Sequence, residues 1–350
     1  VWKSAIGMFA DKPLFGFGLN TFAQAFPAYA FPRSSGIGFY GFAPETAGGD
    51  YFQIAAETGI VGLILLAWLY AALMRARPAE GAGVKESGAF AAPSCALQSL
   101  LVYAWFESAL FEPFVMVLAA VLAGLGAVSA RCGDPVKISW KRRRTAFVLA
   151  AAGLAAILSV ALCDVFAEFY FRKAAEASEH APFSRSVKRG LSAAITLNPM
   201  KAEYRARLGI HDINLYLNTN NPAFLEKGRK SLEAAMSRDL LNGLYRRHAA
   251  QAYSLAGFRG TDLDSLNRSL ALYNEALRLY PFNPFIRLEY ADLLARLDKN
   301  TDAERVLKQA IRLEPNLAPG FFRLAKLYAK TNRRDEAVTN LAMAVNIKTR

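Results

Sequence analysis

The residues with the means to do chemistry gather at one junction, Pro44–Leu66. Asp50, Gln53 and Glu57 are spaced i, i+3 and i+7, so a helix starting near Asp50 carries all three on one face. The stretch opens polar and Gly-rich, turns amphipathic from Asp50 to Glu57, and becomes an uncharged run from Thr58 to Met74. Three polar groups beside an apolar helix fit a substrate-facing edge, and they equally fit a first helical turn that faces water. Elsewhere chemistry is sparse. His180, His211 and His248 stand apart without metal-ligand spacing and read as surface or packed helical residues. Gly16-Phe17-Gly18 is too short for a phosphate-binding loop, and no nucleophile motif occurs. Cys95, Cys132 and Cys163 lie in or beside apolar segments and read as small apolar fillers.

The elements that must position the junction are apolar. Four uncharged runs follow one another: Thr58–Met74, Ser87–Phe106, Pro113–Ala130 and Thr145–Cys163. They have 17, 20, 18 and 19 residues, the length a helix needs to cross a bilayer. Arg75, Arg77 and Lys85 lie between the first two runs, and Arg131, Lys137, Lys141, Arg142, Arg143 and Arg144 between the last two. The connection from Glu107 to Glu112 has no Lys or Arg. The positive-inside rule then predicts a multi-pass membrane protein with both basic loops in the cytoplasm. Residues 1–57 and everything after the fourth span lie outside the cytoplasm, which is the periplasm in a host with two membranes. Glu107 and Glu112 fall at the same external rim, where a carboxylate is either functional or simply exposed.

Before the junction, Trp2–Ala10 reads as a short amphipathic helix ended by Asp11-Lys12-Pro13. Asn20 is placed to cap a second helix running to about Tyr29. After the fourth run the chain turns charged and helical. Net charge is +13 over 350 residues, and nearly all of it falls after residue 165. That basic region fits phosphate-bearing partners, an anionic membrane face or a solvated repeat surface, and nothing in it resembles a nucleic-acid module. A 34-residue period joins Pro281 to Pro315, Ala291 to Ala325, Ala303 to Ala337, and Ala276 through Ala310 to Ala344. An earlier copy of the helix ending lies at Ala194–Pro199, and a degenerate helix is expected near Phe224–Arg238. This pattern resembles tetratricopeptide (TPR) repeats, whose stacked helix pairs usually present a concave surface to protein partners.

The junction itself resembles the signature of the O-antigen ligase and polymerase family, Ala-His-Asn-Asp-Tyr-Leu-Gln followed by Glu-x-Gly and Gly. Ala47, Asp50, Tyr51, Gln53, Glu57, Gly59 and Gly62 fit it, with Phe52 in place of Leu, while Gly48 and Gly49 stand at the His and Asn positions. Trp2, Asp11-Lys12-Pro13-Leu14-Phe15-Gly16, Gly18 and Phe22 match a second stretch of the same family, in the right order.

The resemblance implies an all-α polytopic glycosyltransferase of the bacterial inner membrane, acting on its periplasmic face, of which this chain carries the C-terminal four spans. Such enzymes move a glycan from an undecaprenyl-pyrophosphate carrier to a glycan or lipid acceptor, without metal, nucleotide sugar or other cofactor. They need a base for the acceptor hydroxyl and a cation for the departing pyrophosphate. With Gly48 at the His position, the implied base falls to Asp50, Glu57 or Glu45. The implied substrate contacts are Arg33, Lys3, Tyr51 and Gln53. The expected domains are an external loop over residues 1–57, four spans over 58–165 and a TPR-like array over 166–350. The expected partners are the lipid-linked glycan, its acceptor, membrane lipid, and proteins held by the repeats, with no nucleic acid. A catalytically silent, membrane-anchored TPR scaffold in envelope polysaccharide assembly is the other reading.

Overall fold

The computed structural model describes residues 1–30, 44–75, 95–104 and 140–348, with five positions between 115 and 122. Every regular element among the described residues is helical. The chain forms two compact units, one built on residues before 139 and one running from Ser139 onward.

In the first unit, α1 (Trp2–Asp11) packs against α3 (Asp50–Arg75). Trp2 stacks on Phe52 with ring centroids 5.0 Å apart, and its indole N–H donates to Gly48 O at 3.0 Å. Between them α2 (Phe22–Ala25) runs into a 3₁₀ turn, Phe26–Ala28. Asn20 does not cap α2. It sits at φ 57° and donates its own N–H to the side chain of Glu57. A helical stretch over 95–103 closes over the start of α3, where Ala104 O accepts from Asp50 N at 2.8 Å and Leu101 O from the Tyr51 hydroxyl at 2.8 Å.

Two described helices, Asp50–Ala72 and Ala151–His180, are long and apolar enough to cross a membrane. They coincide with the first and fourth expected spans. Ile64, Leu65 and Trp68 on one, and Leu158, Val160 and Leu162 on the other, stand exposed. Most of the second and third expected spans, together with Glu107 and Glu112, lies outside the described residues.

The second unit stacks five helical hairpins, pairing α4 (Trp140–His180) with α5 (Arg185–Leu197), α6 (Ala202–Thr219) with α7 (Pro222–Met236), and α8 (Gly243–Gly260) with α9 (Leu263–Leu279). The last two pairs are α10 (Pro284–Arg296) with α11 (Asn300–Leu313) and α12 (Ala318–Lys330) with α13 (Arg334–Lys348). The periodic alanines are the reason they pack closely. Ala276, Ala291, Ala303 and Ala310 are each at most 1% exposed, where a larger side chain would hold the helices apart. Asn221, Asn242, Asp262 and Asn283 cap the helices that follow them, accepting from backbone N–H groups of the first turn. Leu232, Leu272 and Ile286 fill the core between the middle hairpins, each worth about 1.5–3 kcal/mol when fully buried.

Helix α4 has 41 residues, about 60 Å of unbroken helix. After the basic start 140–144 comes the uncharged run Thr145–Cys163, and the last part of α4 packs on α5 as half of the first hairpin. The expected boundary at 165/166 therefore falls inside one helix.

Candidate functional site

The junction is organised by a break in α3. Gly59 sits at φ 66°, ψ −156°, so the helical hydrogen bonds from Ile60 to Ala56 and from Val61 to Glu57 cannot form. The loop after α1 takes over both ends. Phe17 N donates to Ala56 O at 3.1 Å and Gly18 N to Glu57 O at 2.8 Å. In return, Ile60 N donates to Pro13 O at 2.8 Å and Val61 N to Leu14 O at 3.4 Å. The approach leaves no room for side chains. A Cβ on Gly59 would lie 2.5 Å from Leu14 O, and one on Gly16 would lie 2.3 Å from the carbonyl carbon of Glu57. The two stretches that resemble the ligase family are thus the two halves of one clasp.

Asp50, Gln53 and Glu57 do share a face, and they are 0%, 2% and 1% exposed, so among the described residues that face is buried and is not a first helical turn turned to water. Glu57 is committed to structure. Its Oε2 accepts from Asn20 N at 2.8 Å, and its Oε1 from Phe22 N at 3.1 Å and Gln53 Nε2 at 3.3 Å. A carboxylate at the N-terminus of α2 satisfies amides that a short helix leaves without partners. Gln53 passes the tie on, its Oε1 accepting from Ala47 N at 3.2 Å. Tyr51 is held through Leu101 O. Glu45 and Lys3 are exposed, with Glu45 outside the buried network, and Arg33 lies outside the described residues. Gly48 adopts φ 70°, a backbone conformation that side chains rarely take, while its carbonyl holds Trp2. Gly48 therefore shapes the loop.

Among the described residues, concavities open in the repeats. The first helices of three successive hairpins, α6, α8 and α10, line a groove of about 350 Å³. Ile210, Ile213, Leu217 and Leu255 give it an apolar surface, and Asn214 and Asp292 add polar groups. One wall is braced by Glu289, which accepts from the Arg247 guanidinium and, at 2.8 Å, from Gln251 Nε2. His248 Nδ1 lies 3.2 Å from Gln251 Oε1. Burial, with the neighbouring Arg247 charge, holds this imidazole below the usual histidine range. Arg296 stacks over Phe258 at 3.5 Å. A second cavity of about 680 Å³ between α10 and α12 shares Asp292 and Arg296 and adds Phe322, Arg323, Lys326 and Lys330. Sequence reading missed these side chains. The 34-residue period marks which helices pair, while the residues facing the groove carry no motif. Among the described residues, no group of three His, Cys, Asp or Glu is arranged to hold a metal.

No protein-family model matches the chain, and no curated protein matches it. Among solved structures it is similar to MamA, at 14% identity over 50% of this chain and 94% of that one, with a TM-score of 0.41. It is also similar to TTC0263, a thermophilic TPR protein of Thermus thermophilus, at 21% identity over 51% and 90% of the two chains with a TM-score of 0.43. Pseudomonas aeruginosa PilF is similar at 14% identity over 53% and 77%, with a TM-score of 0.43. The repeat assignment itself rests on the 34-residue period and the five hairpins.

Proposed function

We propose that this protein is a membrane-anchored repeat scaffold of envelope polysaccharide assembly, holding a protein partner in the concave face of its periplasmic array. The observation that carries this reading is the groove across α6, α8 and α10, the open concavity of an array whose first hairpin grows out of the apolar helix α4. An apolar floor with Asn214 exposed along it suits an extended or helical protein segment. The handled material is a glycan on an undecaprenyl-pyrophosphate carrier, as the ligase-like junction suggests. The test is site-specific photo-crosslinking in cells, with the crosslinker at Asn214 in the groove or at Leu263 on the α8–α9 turn. A discrete protein adduct from position 214 alone, lost when Leu217→Arg is added, is expected. Equal adducts from both positions, or none from 214, would remove the groove from the account.

A second reading is favoured by the clasp. Two stretches about 40 residues apart, each resembling the O-antigen ligase family, interlock around Gly59. In this reading the protein is itself the glycosyltransferase. Asp50 or Glu45 is the base, Lys3, Arg33, Tyr51 and Gln53 contact substrate, and Glu57 positions the others rather than reacting. Asp50→Ala would then abolish glycan transfer while membrane insertion persists, and wild-type transfer by that variant would exclude Asp50.

A further inference from the structure

The loop joining α5 to α6 returns to the end of the apolar part of α4. Asp164 is the first charged residue after the run Thr145–Cys163, and Asn198 Nδ2 donates to its Oδ1 at 2.7 Å. One turn further along α4, Glu168 pairs with Lys201 at 2.9 Å and accepts from the Tyr204 hydroxyl at 3.2 Å. The Lys201 hydrogen bond holds the Glu168 carboxyl below its ordinary range. These contacts fix the loop at the level where α4 stops being apolar. Next to Asn198, the carbonyl of Pro199 gathers two guanidiniums: Arg205 donates from Nη2 at 3.3 Å and Arg238, from the α7–α8 loop, from Nε at 3.0 Å. Two like charges converge here, and among the described residues neither meets a carboxylate. Arg205 Nε is buried without a hydrogen-bond partner. Burial and the Arg238 charge together lower the pKa of Arg205. On the same two loops Met200 is 77% exposed and Leu240 66% exposed. Convergent cations flanked by exposed apolar side chains, beside the end of an apolar helix, match the chemistry of a bilayer interface.

We propose that Arg205 and Arg238 form a binding site for the phosphate of an anionic membrane lipid, docking the inter-hairpin loop edge of the array on the leaflet from which α4 emerges. This rests on the membrane reading of α4. Arg238 also donates from Nη1 to Ala234 O at 2.8 Å, and the N–H groups that the two guanidiniums do not spend on Pro199 O and Ala234 O donate to the phosphate, while Met200 and Leu240 enter the headgroup layer beside it. The contact would hold this loop edge of the array at the bilayer surface.

The test is amide hydrogen exchange on the full chain in nanodiscs of phosphatidylglycerol or of phosphatidylcholine. Amides over 200–207 and 237–242 are expected to exchange about tenfold more slowly in phosphatidylglycerol, and the difference should vanish in high salt. Arg238→Gln, an exposed position, and the double variant with Arg205→Gln should abolish the lipid dependence while far-UV circular dichroism stays unchanged. Equal exchange in the two lipids would overturn the site. So would protection by inorganic phosphate in detergent with none from phosphatidylglycerol, because the ligand would then be a free anion. Cys163 separates the two levels of the argument. If it is shielded from a water-soluble maleimide in the nanodisc but no lipid-dependent protection appears, the lipid site alone fails. If it reacts freely, the membrane reading of α4 fails and the site with it.

Discussion

Replacing Glu57 by Ala removes the acceptor for two backbone donors that are 35 and 37 residues away in sequence, Phe22 N and Asn20 N. Glu57 is 1% exposed, so water does not replace the lost partner at Phe22 without opening the clasp. A buried donor left without its acceptor costs about 1–3 kcal/mol. Asn20 is exposed and can turn its N–H to water, so the buried Phe22 donor sets the cost, about 2 kcal/mol, which speeds exchange through local opening about thirtyfold. Glu57→Gln keeps one carbonyl oxygen and should lose about half of that, a change of about fivefold. The assay is amide hydrogen exchange at Asn20 and Phe22 in the full-length protein. Exchange in Glu57→Ala within about threefold of wild type would refute the structural role. If glycan transfer were lost at the same time, Glu57 would return to the chemistry.

Gly59→Ala should open the clasp outright, because its Cβ would meet Leu14 O at 2.5 Å and its φ of 66° suits glycine. The amides of Phe17 and Gly18 are expected to lose protection, and unchanged exchange there would show that the break in α3 is not needed. Glu289→Ala strips the acceptor from Arg247 and Gln251 in a pair whose side chains are only 25% and 19% exposed. A loss of about 3 kcal/mol should lower the unfolding temperature of the repeats by roughly 6–12 °C, and a shift below about 2 °C would contradict the brace. Folded His248 titrates below its ordinary range, so the unfolded chain takes up its proton first as pH falls. The contribution of His248 is complete above about pH 6.5 and is lost below it, until the folded imidazole itself titrates. His248→Gln should therefore flatten the fall in melting temperature between about pH 7 and 5, and an equal or steeper fall would count against the buried neutral imidazole.

The repeats were legible where small residues and a Pro stop recur at fixed spacing, as from Asn283 onward. The degenerate helix expected near Phe224–Arg238 is α7, Pro222–Met236. The earlier hairpins escape the period because their helices are longer, 18 and 17 residues in α8 and α9 against 13 and 14 in α10 and α11, though their caps at Asn221, Asn242 and Asp262 are ordinary sequence signals. The unbroken passage of α4 from its apolar part into the first hairpin also had a trace. Neither Gly nor Pro interrupts residues 154–181, so nothing stops the helix where its charge begins. The junction was legible only in part. Spacing placed Asp50, Gln53 and Glu57 on one face, but burial depends on partners such as Asn20 and Phe22, which helical periodicity does not reach. The groove side chains follow from how successive hairpins stack, and that is set by packing at several interfaces together.

The most direct test of the scaffold compares a strain lacking this protein with strains restored by Asp50→Ala or by the groove variant Leu255→Arg, following lipid-linked glycan and its transferred product by gel and mass spectrometry. The scaffold account predicts that carrier-linked glycan accumulates in the deletion, clears with Asp50→Ala, and persists with Leu255→Arg. Clearance by Leu255→Arg with persistence in Asp50→Ala would contradict it and place the work at the junction.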